Sequence, residues 1–182
     1  MKRAILPALM IALLCACGST GETETKFTQW REDISSVELC AVVTTTQGDS
    51  AAEYELSCSY SPETCTVEII APESLAGVTA SRSGDETELE YDGLILSLGA
   101  MDGITPINAL PELLDAIING HLELSYEEPD GDDTLIAAEL TLGDTVTVRL
   151  WLEPEQMTPL RAAFESDGNG DIKAEITKWN IR

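Results

Sequence analysis

Apolar and polar residues alternate along most of this chain, and that period predicts short β-strands with one dry face and one wet face. Ala52–Tyr60 is the cleanest case: Tyr54, Leu56, Cys58 and Tyr60 fall on one side, Glu53, Glu55 and Ser57 on the other. Val37–Thr46 reads as the strand before it, joined through a hairpin turn at Gly48-Asp49. After the turn Ser61–Thr64, the strand Cys65–Ile70 pairs back, with Tyr60 facing Cys65 and Cys58 facing Val67. Pro72 lacks an N–H and ends that ladder, and Gly77 lets the backbone turn. Val78–Arg82, Thr87–Tyr91 and Leu94–Leu98 follow, joined at Ser83-Gly84-Asp85 and at Asp92-Gly93. The second of these turns carries the type I′ signature.

The strand period returns in His121–Glu127, Leu135–Leu142, Val146–Leu152, Leu160–Phe164 and Ile172–Trp179, with an acidic loop at Glu128–Asp133 and a break at Glu153-Pro154-Glu155. Ile136, Ala138, Leu140 and Leu142 have even numbers, and so do Val146, Val148, Leu150 and Leu152. A two-residue loop would put these two sets on opposite faces, so a three-residue loop at Gly143–Thr145 is expected, with Leu142 facing Val146. Two stretches have helical spacing instead. Phe27, Trp30 and Ile34 mark a short helix over Lys26–Ser35, and Leu110, Leu113, Leu114, Ile117 and Ile118 mark a stronger one that Gly120 closes. The expected fold is mainly β with α: ten to eleven strands in an antiparallel meander, one domain, and two or three helices.

The N-terminus changes the picture. Lys2 and Arg3 precede an apolar run, Ala4–Leu14, that is too short to span a bilayer and reads as a secretory signal. Leu14-Cys15-Ala16-Cys17 resembles a bacterial lipobox, which implies cleavage before Cys17 and a diacylglyceryl thioether on it. The expected organisation is a signal peptide at 1–16, a lipidated flexible tether at 17–25 and a folded domain at 26–182. The expected location is extracytoplasmic, anchored to the bacterial cell membrane. The formal net charge of −23 deepens once Lys2 and Arg3 are removed, and it opposes nucleic acid as a partner. Three cysteines remain: Cys40, Cys58 and Cys65. Cys58 and Cys65 share a face on a diagonal. A disulfide between them would close a short loop and contribute roughly 2–3 kcal/mol, while three buried thiols are the other reading.

Two stretches resemble the lipoprotein-carrier-like superfamily of LolA-like proteins. The first is VEIIAPESLAGVTA (Val67–Ala80) with the later YDG (Tyr91–Gly93) and LILSL (Leu94–Leu98). The second is the ending Leu150–Arg182. The resemblance implies an unclosed β-barrel, a strongly curved sheet whose apolar concave side is covered by helices. In the carriers that hollow takes acyl chains, and in regulators of the RseB and GerS type the same shell contacts proteins. The soluble carriers lack an anchoring cysteine, so a shuttle is not expected here.

The first expectation is therefore a non-enzymatic lipoprotein that binds a lipid or other hydrophobic ligand, with Leu110, Leu113, Leu114, Ile117, Val148 and Leu150 as the lining. The alternative is a cell-envelope interaction or regulatory module whose hollow is filled by its own helix, Pro106–Asn119. No catalytic residue, cofactor or metal is expected. Asp167-Gly168-Asn169-Gly170-Asp171 matches the opening of a calcium loop. However, Ile172 stands where glycine is needed and Lys178 where glutamate is needed, so it reads as a hairpin turn. His121 begins a strand and reads as an edge or surface residue. Trp30, Trp151 and Trp179 are candidates to line a cavity.

Overall fold

The computed structural model describes residues 19–84, 86–99, 101, 103–143, 146–165 and 171–182. The leader, Cys17 and the Asp167–Gly170 turn lie outside them. Helix α1 (Ser19–Glu32) is followed by β1 (Val37–Gln47), β2 (Ser50–Tyr60), β3 (Cys65–Ala71), β4 (Thr79–Ser83), β5 (Glu86–Tyr91) and β6 (Leu94–Gly99). Helix α2 (Ala109–Asn119) leads into β7 (His121–Asp130), β8 (Asp133–Leu142), β9 (Val146–Leu152), β10 (Pro159–Glu165) and β11 (Asp171–Ile181). The eleven strands form one antiparallel, unclosed sheet in the order β6-β5-β4-β3-β2-β1-β11-β10-β9-β8-β7. Two meanders, β1–β6 and β7–β11, thus join along β1 and β11.

The alternation sets the registers. Tyr60 faces Cys65 and Cys58 faces Val67, while Leu142 faces Val146 across the longer loop. At the β5–β6 turn Asp92 and Gly93 both take positive φ, 50° and 78°, as a type I′ turn requires. On the concave side, Val37, Leu39, Ala41 and Val43 of β1 are buried, with Leu56 of β2, Val67 of β3, Ala162 of β10 and Ala174 of β11.

Helix α2 lies in the hollow and packs against β2 and β3 on one side and β8 on the other. Leu110, Leu113, Leu114 and Ile117 of its apolar stripe are completely buried, and Ile118 at its end is half-buried. Gly120 ends it by close approach: at a φ of −68° no left-handed turn is needed, but a Cβ there would sit 2.3 Å from the Ala116 carbonyl oxygen.

Two expectations change. The helix predicted over Lys26–Ser35 begins at Ser19, so much of the segment read as tether is helical. What holds it is tertiary: α1 packs on β7, Ser125 of β7 donates to the buried Thr23 hydroxyl at 3.2 Å, and Lys26 donates to the Pro154 carbonyl. Farther along, Phe27 is buried and Trp30 stacks at a tilt on Trp179, 6.0 Å between ring centres. The acidic loop Glu128–Asp133 is the second change: β7 runs to Asp130 and β8 starts at Asp133, leaving a two-residue turn. Pro129 is tolerated inside β7 because β7 is an edge strand and needs no outward donor.

Candidate binding surfaces

The six residues expected to line a hollow are brought together, but as solid core. Leu110, Leu113, Leu114 and Ile117 of α2, with Val148 and Leu150 of β9, are all closed to solvent. The helix therefore fills the concave side over the middle of the sheet.

Its cover ends toward β6. Leu39, Cys58, Val67, Ala80, Leu89 and Leu96 lie across six successive strands in one row. The first four are buried, Leu89 is half-buried, and Leu96 is 59% exposed. The dry row of the core thus runs out into water on β5 and β6. At the boundary Arg82 of β4 clamps α2. Its guanidinium pairs with Glu112 at 2.9 Å and with Asp115. Burial raises the Glu112 carboxyl above the usual glutamate range, and Arg82 opposes that shift. Burial and the Asp115 charge raise the Tyr60 phenol nearby.

Beside this clamp is a pocket of about 160 Å³, lined in part by Ala80, Thr87, Met101, Ile107 and Pro111. Cys65 also borders it. The Cys58 and Cys65 sulfurs lie 3.6 Å apart as separate thiols, not as the bond considered from the sequence. A hydrogen bond joins the two thiols, with either sulfur able to donate, and together with burial it raises the Cys58 thiol. Cys40 is a half-buried thiol.

The far end of the sheet is built differently. On the convex face Arg149 sits between the rings of Tyr126, at 5.6 Å, and Trp151, at 5.0 Å, and Arg161 covers Trp151 at 4.9 Å. Arg149 also pairs with Glu128 of β7 at 2.7 Å, and Arg161 with Asp130 at 3.2 Å. Trp151 thus serves a cation–π stack, and Trp30 and Trp179 pack on each other rather than around an open cavity. His121 opens β7 and is exposed. Sequence reading missed the Arg82 clamp, the Arg149 stack and the bareness of β6. Only the last had a signal: Leu94-Ile95-Leu96 breaks the alternation.

No family model matches the sequence, and no curated protein matches it. Among solved structures, a DUF1329 family protein from Desulfovibrio piger matches with a TM-score of 0.54 at 10% identity, over 90% of this chain and 93% of that one. A putative outer membrane lipoprotein-sorting protein domain from Vibrio parahaemolyticus matches at 0.53 and 7% identity, over 90% and 92%. A LolA superfamily protein from Nitrosomonas europaea matches at 0.49 and 15% identity, over 91% and 94%. An unclosed antiparallel sheet wrapped around a helix, shared along nearly the whole chain, is the LolA-like lipoprotein-carrier fold.

Proposed function

We propose that this protein is a non-enzymatic extracytoplasmic lipoprotein, held at the cell membrane through an acylated Cys17, that acts by binding another protein of the cell envelope. One observation carries the reading: the hollow that could take a lipid is occupied by α2, whose Leu110, Leu113, Leu114 and Ile117 are fully buried. The most exposed large apolar side chains, Leu94, Ile95 and Leu96, lie beyond the cover of α2, on β6. The lipobox-like Leu14–Cys17 supports the anchor, and no helix among the described residues is long and apolar enough to cross a membrane.

A second reading, a small hydrophobic ligand, is favoured by the pocket beside Arg82. Its volume of about 160 Å³ is near that of an engineered cavity of ~150 Å³ that holds benzene, and below the ~300–1,000 Å³ of ordinary ligand sites. It suits a small apolar group better than the paired chains of a phospholipid.

Native mass spectrometry of Gly18–Arg182, exported without the lipid cysteine, tests the two. Spectra before and after organic extraction should show the bare chain in both. A fatty-acid or phospholipid mass that extraction removes would overturn the interaction reading and identify the ligand.

A further inference from the structure

Strand β6 is the bare edge of the sheet. Leu94, Ile95 and Leu96 are 75%, 65% and 59% exposed, so neither of its faces is covered. The β5–β6 loop has two residues, so Tyr91 and Leu94 exchange both backbone hydrogen bonds, and bonded pairs then alternate. Leu89 and Leu96 are the next bonded pair. Ile95 and Ser97 therefore aim their N–H and C=O groups outward, away from β5, as a template for another strand.

The two faces of this template differ. On the concave face Leu94 and Leu96 stand beside Tyr91 and Leu89. On the convex face Ile95 and Ser97 stand beside Glu90 and Glu88, and Glu86 continues that line. All three glutamates are exposed, and none makes an ion pair among the described residues.

We propose that β6 docks an extended segment of a partner protein in which apolar residues alternate with lysine or arginine, added to the sheet as a further strand. This rests on the reading of the protein as an interaction module. Backbone groups supply the pairing, the Leu94–Leu96 face accepts the apolar side chains, and the glutamate line accepts the basic ones. The added strand stands two strand spacings, about 10 Å, from β5. That is near the Debye length at physiological salt, ~8 Å, so the long basic side chains must close the gap and the attraction weakens as salt rises. A second copy of this chain fits poorly, because it would set one glutamate line against another in a molecule of net charge −23.

The probe is a capped heptapeptide alternating lysine and valine, compared with an isomer in which the four lysines precede the three valines. Binding to the whole exported chain, with Cys17→Ser to remove the lipid, is read by fluorescence anisotropy and by amide exchange. The alternating peptide should bind at least tenfold more tightly than the block isomer and should slow exchange at the Ile95 and Ser97 amides. Ile95→Pro removes one outward donor without touching the β5 ladder and should cost at least tenfold. Should that variant misfold, Leu96→Lys, which places a cation on the apolar face, should do the same. Glu88→Gln with Glu90→Gln should cost about threefold at low salt and nothing at high salt. Equal binding of the two isomers, protection elsewhere on the molecule, or affinity unmoved by a folded edge variant would overturn the proposal. So would a dimer of the chain alone that Leu96→Lys dissolves, which would assign the edge to a second copy. A bare chain in the mass spectrum together with any of these results removes the docking mode alone. A co-purified lipid removes the interaction reading beneath it.

Discussion

The two edges of this sheet are managed in opposite ways. Strand β7 carries Pro129, exposed acidic residues, a helix lying on it and an arginine–aromatic stack that ties it inward. These are the devices by which proteins keep edge strands from pairing with other chains. Strand β6 has none of them within Leu94–Leu98: no proline, no charge, and every residue exposed. The same sheet thus closes one border and leaves the other open. That contrast locates a pairing surface more sharply than the amount of exposed apolar area does.

The contrast can be broken from either side. The largest effect is expected at the cover of β7. Phe27→Ala empties the buried anchor of α1 and should cost about 3–5 kcal/mol in urea unfolding. It should also let the β7 amides exchange while those of β2 stay protected. Next comes the clamp where the cover stops. Arg82→Ala leaves Glu112 and Asp115 half-buried without their cation and should cost about 1–3 kcal/mol. The sign of its pH dependence follows from burial. The folded Glu112 holds its proton more tightly than the unfolded chain does, so its share of stability falls as pH rises through the raised pKa. Loss of Arg82 enlarges that fall, so the gap between variant and parent should widen from the glutamate range upward and narrow below it. Urea midpoints at several pH values check this, and a gap that is flat with pH would sink the account.

Smaller changes sharpen the comparison. Glu128→Gln removes one ion pair of the β7 stack, in which both partners are about one-third exposed, and should cost about 0.5–1 kcal/mol. Leu96→Lys at the open edge should stay within about 0.5 kcal/mol of the parent in urea unfolding, because its side chain already stands in water. A stability loss at Leu96 as large as that at Phe27 would mean that β6 is covered in solution.

How much of this could be read from the chain depends on the distance over which each signal acts. Registers fixed by parity and by a turn, such as Leu142 with Val146 and Tyr60 with Cys65, were legible because both partners lie close in sequence. The stripe Leu110–Ile118 showed which face of α2 is dry. It could not show whether the facing sheet leaves room, because that depends on curvature summed over many strands. The polar run Ser19–Thr25 gave no helical stripe, since its helix depends on β7, a hundred residues away. Leu94-Ile95-Leu96 reads equally well as a strand buried on both faces. Only the strand order, which sets β6 at a border, separates the two.

That strand order also has a consequence for how the chain folds. Nine of the ten strand pairings join consecutive strands through a local turn or a short excursion, but the seam between β1 and β11 joins Val37 to Ile181. It is the pairing with the greatest sequence separation, and loop-closure entropy makes such contacts the slow ones. During synthesis the first strand emerges long before its second neighbour, so one flank of β1 waits unpaired until β11 arrives. Either meander can form early, but the hollow around α2 cannot close until the last strand zips onto the first.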